Sequence, residues 1–470
     1  MLFNSLSFLV FFPLVVLVYF LWPKRTRWVW LLVASYYFYM CWNARYVLLI
    51  ATSTVVTYAC ALGMERVQGR GGRRLVMLAG LCVNLGLLGF FKYSGFFINL
   101  LGRGFGALGV TLSLPQVDVL LPVGISFYTF QALSYVIDVY RGTVAAQKNP
   151  ITFGTYIALF PQLIAGPIVQ YKTVEEQLSH RRETTAQFAA GIGRFTIGLG
   201  KKVLIANQVG ALWDTIAALP GTGLSAGTAW LGAIAFTFQI YFDFSGYSDM
   251  AIGLGKMLGF EFLENFDYPY LSRSITEYWR RWHISLGTWF REYVYIPLGG
   301  NRRGLPRQIL NLIIVWGLTG LWHGASWNFL LWGLYYGVIL IVEKVWLLKP
   351  LQKAPGAVQH LYSLLLIVLG WVIFALTDFS AIGNYFAALF GAHGGTDSQT
   401  MYLLTTNLSL LLVAALACTR WPAQTANDLL ARIPAAAQTL LRCLFYTVVL
   451  LMCVAFLVGD SYNPFLYFRF

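Results

Sequence analysis

Two histidines stand where a largely apolar chain tolerates them least. His323 lies in LTGLWHGASWN (Leu318–Asn328), and no Asp, Glu, Lys or Arg falls between Arg307 and Glu343. Ionisable groups at membrane depth are costly and by default mark a functional site. Imidazole is neutral near pH 7, which makes it the cheapest base to bury there. His283 lies in YWRRWHISLGTWF (Tyr278–Phe290). On a helix Glu277 and Arg281 are i,i+4 in the favourable order for an ion pair, and Trp279 and His283 share one face. An interfacial amphipathic helix accounts for these aromatics and arginines, but it does not require His283. The third constellation is Tyr241–Asp249, YFDFSGYSD, with Asp243, Ser245 and Asp249 inside an apolar run. Its aspartates are expected either to serve a site or to cap a helix end or pair with a loop arginine.

These groups must be held by membrane helices. The 470 residues are 58% hydrophobic and only 11% charged, less than half the roughly 25% charged share of a soluble protein. Soluble multidomain enzymes, disordered chains and disulfide-stapled secreted domains are excluded. With about 20 apolar residues per span, the chain has room for roughly ten to twelve helices. The net charge of +14 is read as basic loops kept on the cytoplasmic side, and no nucleic-acid partner is expected. The six cysteines form no C-x-x-C pair and are expected to be buried free thiols. The five histidines have no ligand-type neighbour at i,i+3 or i,i+4, so no metal site is expected.

The first apolar run, Leu6–Trp22, lacks a preceding positive charge and a following cleavage site, so it reads as a span. Basic residues at Lys24–Arg27 and in the Glu65–Arg74 loop predict those loops inside and the N-terminus extracytoplasmic. Apolar runs continue to Leu440–Val458. Leu121–Tyr140 carries Pro122, Gly124, Ser126, Gln131 and Asp138, and such a segment needs protein rather than lipid around it. No internal repeat or linker appears, so residues 1–470 are expected to form one integral-membrane domain. Gly317, Gly320 and Gly324 share a helical face, which suits either close helix approach or a lane for an acyl thioester beside Trp316, Trp322 and Trp327.

The string YWRRWHISLGTWFREYVYIPLGGN (Tyr278–Asn301) closely resembles the signature of the membrane-bound O-acyltransferase family, and LTGLWHGASWN resembles its second histidine signature. LPVGISFYTFQALSYVIDVYRG (Leu121–Gly142), FPQLIAGPI (Phe160–Ile168) and DFSGYSDMAIG (Asp243–Gly253) are similar to the same family. Together they span a core of about residues 121–345 and point to its bacterial polysaccharide O-acetylation branch. Teichoic-acid D-alanylation proteins share the W-H-x-S-L block but usually lack the continuation at Ile296–Asn301.

The resemblance implies an all-α polytopic fold, a ring of about eleven transmembrane and re-entrant helices around a catalytic funnel. It places the family's catalytic histidine at His323 and its second polar position at His283. Asp243, Ser245, Asp249, Trp279, Arg280, Trp282, Trp322 and Asn328 are the candidates for lining the substrate or donor site. The implied activity is O-acetyl transfer in the bacterial inner membrane. A cytoplasmic thioester, acetyl-CoA or another, is the donor substrate, and no bound cofactor is expected. Expected partners are an extracytoplasmic acetyltransferase and a polysaccharide biosynthesis complex. His323 is the expected base, while His283 orients the acceptor, stabilises the oxyanion or relays the proton. Arg280, Arg281, Arg302, Arg303 and Arg307 either meet donor phosphates or fix topology. D-Alanyl transfer to teichoic acid is the alternative within the family. A non-catalytic scaffold of an export complex, or a transporter, is the alternative outside it.

Overall fold

The computed structural model describes residues 1–110, 120–164, 166–459 and 466. Among them regular structure is helical, apart from one isolated antiparallel bridge between Phe266 and Trp282. Val119 and Ala165, within two of the apolar segments read from the sequence, lie outside the described residues. Among the described residues six helices are long and apolar enough to cross a membrane: Ala44–Arg66, Arg70–Ala107, Trp327–Lys353, Gly356–Ala375, Ser398–Ala417 and Ala435–Gly459. Only 6% of the most apolar window of Ala435–Gly459 is buried by protein, as suits a helix whose solvent is lipid.

The chain divides into two compact units. The first comprises Met1–Gly191 with Leu254–Leu263. Its core includes the rings of Phe3, Phe8, Phe38 and Phe160. The Ile125–Arg141 helix buries 14 of its 17 residues, so its polar groups are covered by protein, as the sequence requires. The basic residues differ from expectation. Only residues 67–69 separate the second and third of the long helices' neighbours in sequence, Val47–Arg66 and Arg70–Ala107, so Arg70, Arg73 and Arg74 belong to a helix start rather than a loop. Arg27 is buried and pairs with Glu183 at 3.1 Å, because that carboxylate gives an inward-turned guanidinium a partner.

The second unit comprises Ile192–Gly253 and Glu264–Phe470. Within it, Leu305–His323 packs along Trp327–Val342. A Cβ on Gly320 would stand 2.2 Å from the Phe329 carbonyl oxygen, and one on Gly333 would stand 2.3 Å from the Trp316 carbonyl oxygen. These glycines let two backbones touch. Gly320 and Gly324 therefore pack against the neighbouring helix and leave no lane for a thioester. The cysteine expectation also needs correction, since Cys41, Cys82 and Cys443 are exposed and only Cys418 and Cys453 are buried. On helices with outward apolar faces, a cysteine fits as well outside as in.

Candidate active site

The Ile275–Arg281 helix begins with a cap and ends abruptly. Ser274 accepts a bond from Glu277 N at 3.0 Å, and Glu277 pairs with Arg281 at 2.7 Å, as the spacing predicts. The helix start is also closed by the Glu343 carboxylate, which accepts from Ile275 N, Thr276 N and Thr276 Oγ1 at 2.6–2.8 Å. Tyr362 OH donates to the same carboxylate at 3.2 Å. At Trp282 the backbone becomes extended and bridges to Phe266. Asp267 N donates to Arg281 O and Ile284 N to Asn265 O, both at 3.0 Å.

His283 follows with φ +46°, in the left-handed region, before a new helix runs over Ile284–Phe290. A side chain there costs on the order of 1 kcal/mol or more, and such strain collects at functional sites. The expectation of a helical face shared by Trp279 and His283 is thereby corrected. The pairing of residues 265–267 with 281–284 competes with helix propagation and wins, turning His283 away from the first helix.

The imidazole is 2% exposed. Its Nδ1 lies 3.2 Å from Asn265 Oδ1, the Phe244 ring stands edge-on at 4.7 Å, and the Trp322 ring is 5.9 Å away. Burial pushes its pKa down, which favours the neutral ring. Nε2 has no hydrogen-bond partner among the described residues. His283 lines a cavity of about 620 Å³ together with Trp279, Arg280, Trp282, Trp316 and Thr319. A second cavity of about 580 Å³ shares Arg291 and Tyr295 with the first and is lined also by Arg302, Arg303, Gln308 and Lys344.

His323 is the last residue of its helix. Trp322, Trp332 and Phe374 meet its ring edge-to-face at 4.9–5.2 Å. Trp322 thus touches both histidines. Asn328 donates to the carbonyls of Ile373 and Phe374 at 3.3 and 3.2 Å. It ties Trp327–Val342 to Gly356–Ala375 and so steadies the Phe374 ring against His323. Trp327 is 44% exposed and does not wall the cavity as expected, because it stands at the outer side of its helix start.

The aspartates take the quieter of their two expected roles. Asp243 is buried against Lys202 at 2.5 Å and accepts from Leu466 N at 2.9 Å. Asp249 pairs with Lys201 at 2.7 Å and Arg194 at 2.6 Å. Their partners are helical residues rather than loop arginines. Ser245 Oγ is buried without a hydrogen-bond partner among the described residues. Phe244, between Asp243 and Ser245, is the member of this motif that reaches His283. Of the five arginines considered for phosphates, Arg281 is taken by Glu277, and Arg307 donates to Leu298 O at 3.1 Å. Arg280, Arg302 and Arg303 line the two cavities, joined by Arg291 and Lys344. Asn265 and Glu343 were not foreseen. Glu343 carried a signal, as the first acid after an uncharged run of more than thirty residues; Asn265 carried none.

Membrane-length apolar helices, two buried histidines beside one tryptophan, and an aromatic cavity next to a basic one define a polytopic membrane protein with a candidate site inside it. The family model for the membrane-bound O-acyltransferases matches residues 144–386. The probable alginate O-acetylase AlgI of Azotobacter vinelandii is 43% identical over 419 residues, 88% of this chain and 83% of that protein. The peptidoglycan O-acetyltransferase of Helicobacter pylori is 34% identical over 84% of this chain and 80% of its own length. A teichoic acid D-alanyltransferase of Streptococcus thermophilus is 28% identical, over 48% of this chain and 58% of its own. The chain belongs to the membrane-bound O-acyltransferase family and is a multi-pass membrane O-acyltransferase.

Proposed function

We propose that this enzyme moves acetyl groups from a cytoplasmic thioester, acetyl-CoA or a close equivalent, for O-acetylation of an extracytoplasmic polysaccharide. The observation that carries the reading is the pair of histidines on either side of Trp322, one of them lining the 620 Å³ cavity. The names of the relatives support acetyl as the group and a surface or cell-wall glycan as its destination. D-Alanyl transfer to teichoic acid is the weaker reading, since the relative named for it matches less of the chain at lower identity.

His323 is the base in this reading. It takes the proton of a hydroxyl as that oxygen attacks the thioester carbonyl. The tetrahedral oxyanion collapses, the C–S bond breaks, and the imidazolium returns the proton to the leaving sulfur. Positioned general-base catalysis contributes about 10²–10⁴-fold. The basic cavity lined by Arg291, Arg302, Arg303 and Lys344 suits the phosphates of a pantetheine-bearing donor, while the aromatic cavity takes the acyl end. Trp279, Arg280 and Trp282 line that aromatic end, and Trp322 separates the two histidines.

The whole chain then works as one integral-membrane domain of the bacterial inner membrane, its N-terminus extracytoplasmic. An extracytoplasmic acetyltransferase of a polysaccharide biosynthesis complex completes delivery to the glycan. The test is mass spectrometry of surface glycans from cells with and without the protein. O-acetyl esters present only with it support the reading. Unchanged acetylation, or loss of D-alanyl esters instead, overturns it.

A further inference from the structure

The sequence leaves three roles open for His283, and its hydrogen bonds exclude one of them. The choice starts at Asn265, whose Oδ1 has three neighbours. Ser285 N lies at 3.1 Å, Ser285 Oγ at 2.9 Å and His283 Nδ1 at 3.2 Å. A backbone N–H can only donate, so Ser285 N fixes which end of the Asn265 amide faces this cluster. Reversing the amide would set its NH₂ against that N–H, donor against donor, in a site shut off from water. With Oδ1 held there as an acceptor, His283 Nδ1 must carry the hydrogen. A neutral imidazole has one N–H, so Nε2 is left with a lone pair. That atom is buried and has no hydrogen-bond partner among the described residues. A buried acceptor left unmade is costly, and a donor that reaches it recovers that cost.

We infer that Asn265 is a positioning residue that locks His283 in its Nδ1–H form, so that Nε2 accepts a hydrogen bond from a hydroxyl of the acyl acceptor and cannot serve as an oxyanion donor. The identity of that hydroxyl rests on the acyl-transfer reading above; the protonation state of the ring does not.

The test is nitrogen NMR on the full-length protein in lipid nanodiscs with ¹⁵N-labelled histidine. The His283 signals are identified by their loss in His283→Gln. At neutral pH His283 is expected to show a protonated Nδ1 and a bare Nε2. Asn265→Leu is expected to shift the ring toward Nε2–H and to lower acetylation by about tenfold, the scale of one hydrogen bond. Asn265→Asp, which keeps an acceptor at the same place, is expected to recover the Nδ1–H form and most of that loss. A protonated Nε2 in the unaltered protein overturns the inference, and that spectrum decides even where Asn265→Leu fails to fold. A residue that only braced the loop would leave the ring's protonation unchanged in Asn265→Leu, which overturns it as well. If Nε2 is bare but no glycan acetylation depends on the protein, the lock on the ring stands and the functional reading fails.

Discussion

Two stretches of the second unit bury polar side chains in an apolar surround and settle them in opposite ways. Along Asp243–Asp249 each carboxylate meets a cation at 2.5–2.7 Å, and Asp243 gains a backbone N–H besides. At Asn265–Ser285 the backbone is forced to φ +46° at His283, and Nε2 is left without a hydrogen-bond partner among the described residues. The paired carboxylates hold helices together and are already taken, although Ser245 Oγ and Ser248 Oγ beside them have no hydrogen-bond partner among the described residues. Strain combined with an unused acceptor is what a reacting or binding group needs. Both stretches read as functional candidates from sequence, and only their partners separate them.

The contrast breaks most sharply at the histidines. His323→Ala removes the base and leaves a cavity among Trp322, Trp332 and Phe374, so transfer is read per molecule in the membrane fraction, where it is expected to fall by about 10² or more. His283→Gln is expected to lower transfer at least about tenfold at normal protein level, as for one lost hydrogen bond in the site. Surface O-acetyl content normalised to protein in the membrane fraction reads both. Full activity of His283→Gln would put this turn in the same class as the aspartate stretch.

Lys202→Met attacks the other side of the comparison. It strands the Asp243 carboxylate, and breaking a buried pair costs about 3–5 kcal/mol. Membrane-fraction protein is expected to drop severalfold, with transfer per remaining molecule close to that of the unaltered enzyme. A normal level with lost transfer would instead place Asp243 in the chemistry. Glu343→Gln is the mildest of the set. It keeps the shape but removes the charge that caps the Ile275–Arg281 helix, worth about 1–2 kcal/mol. A lowered melting temperature in detergent with a few-fold loss of transfer is expected, and no change in either would show that the cap does not steady His283.

The spans were legible because apolar runs are dictated locally. Leu6–Leu21 falls within a residue of the run that predicts it, and Ala435–Gly459 contains the run Leu440–Val458. The break at Trp282–His283 was not, because its cause lies in Asn265–Asp267, a chain segment with no pattern of its own. Both histidines stood out by their isolation among apolar residues. The Asn265 contact spans 18 residues and the Glu343 contact 68, and no local signal encodes such partners. The glycines were left with two readings for a related reason. Spacing shows that Gly320 and Gly324 share a face, but only the packed neighbour reveals whether that face meets a ligand or the Phe329 backbone.

The account stands on acyl transfer at the two histidines that Trp322 joins. Its most direct test is the O-acetyl content of surface glycan in cells whose own copy of the gene is deleted and replaced. One culture carries the unaltered enzyme and another the doubly altered His283→Gln, His323→Ala protein, at matched levels in the membrane. The account predicts acetylation restored by the first and the deletion background for the second. Acetylation restored equally by both would contradict it, leaving a membrane protein whose histidines take no part in the reaction.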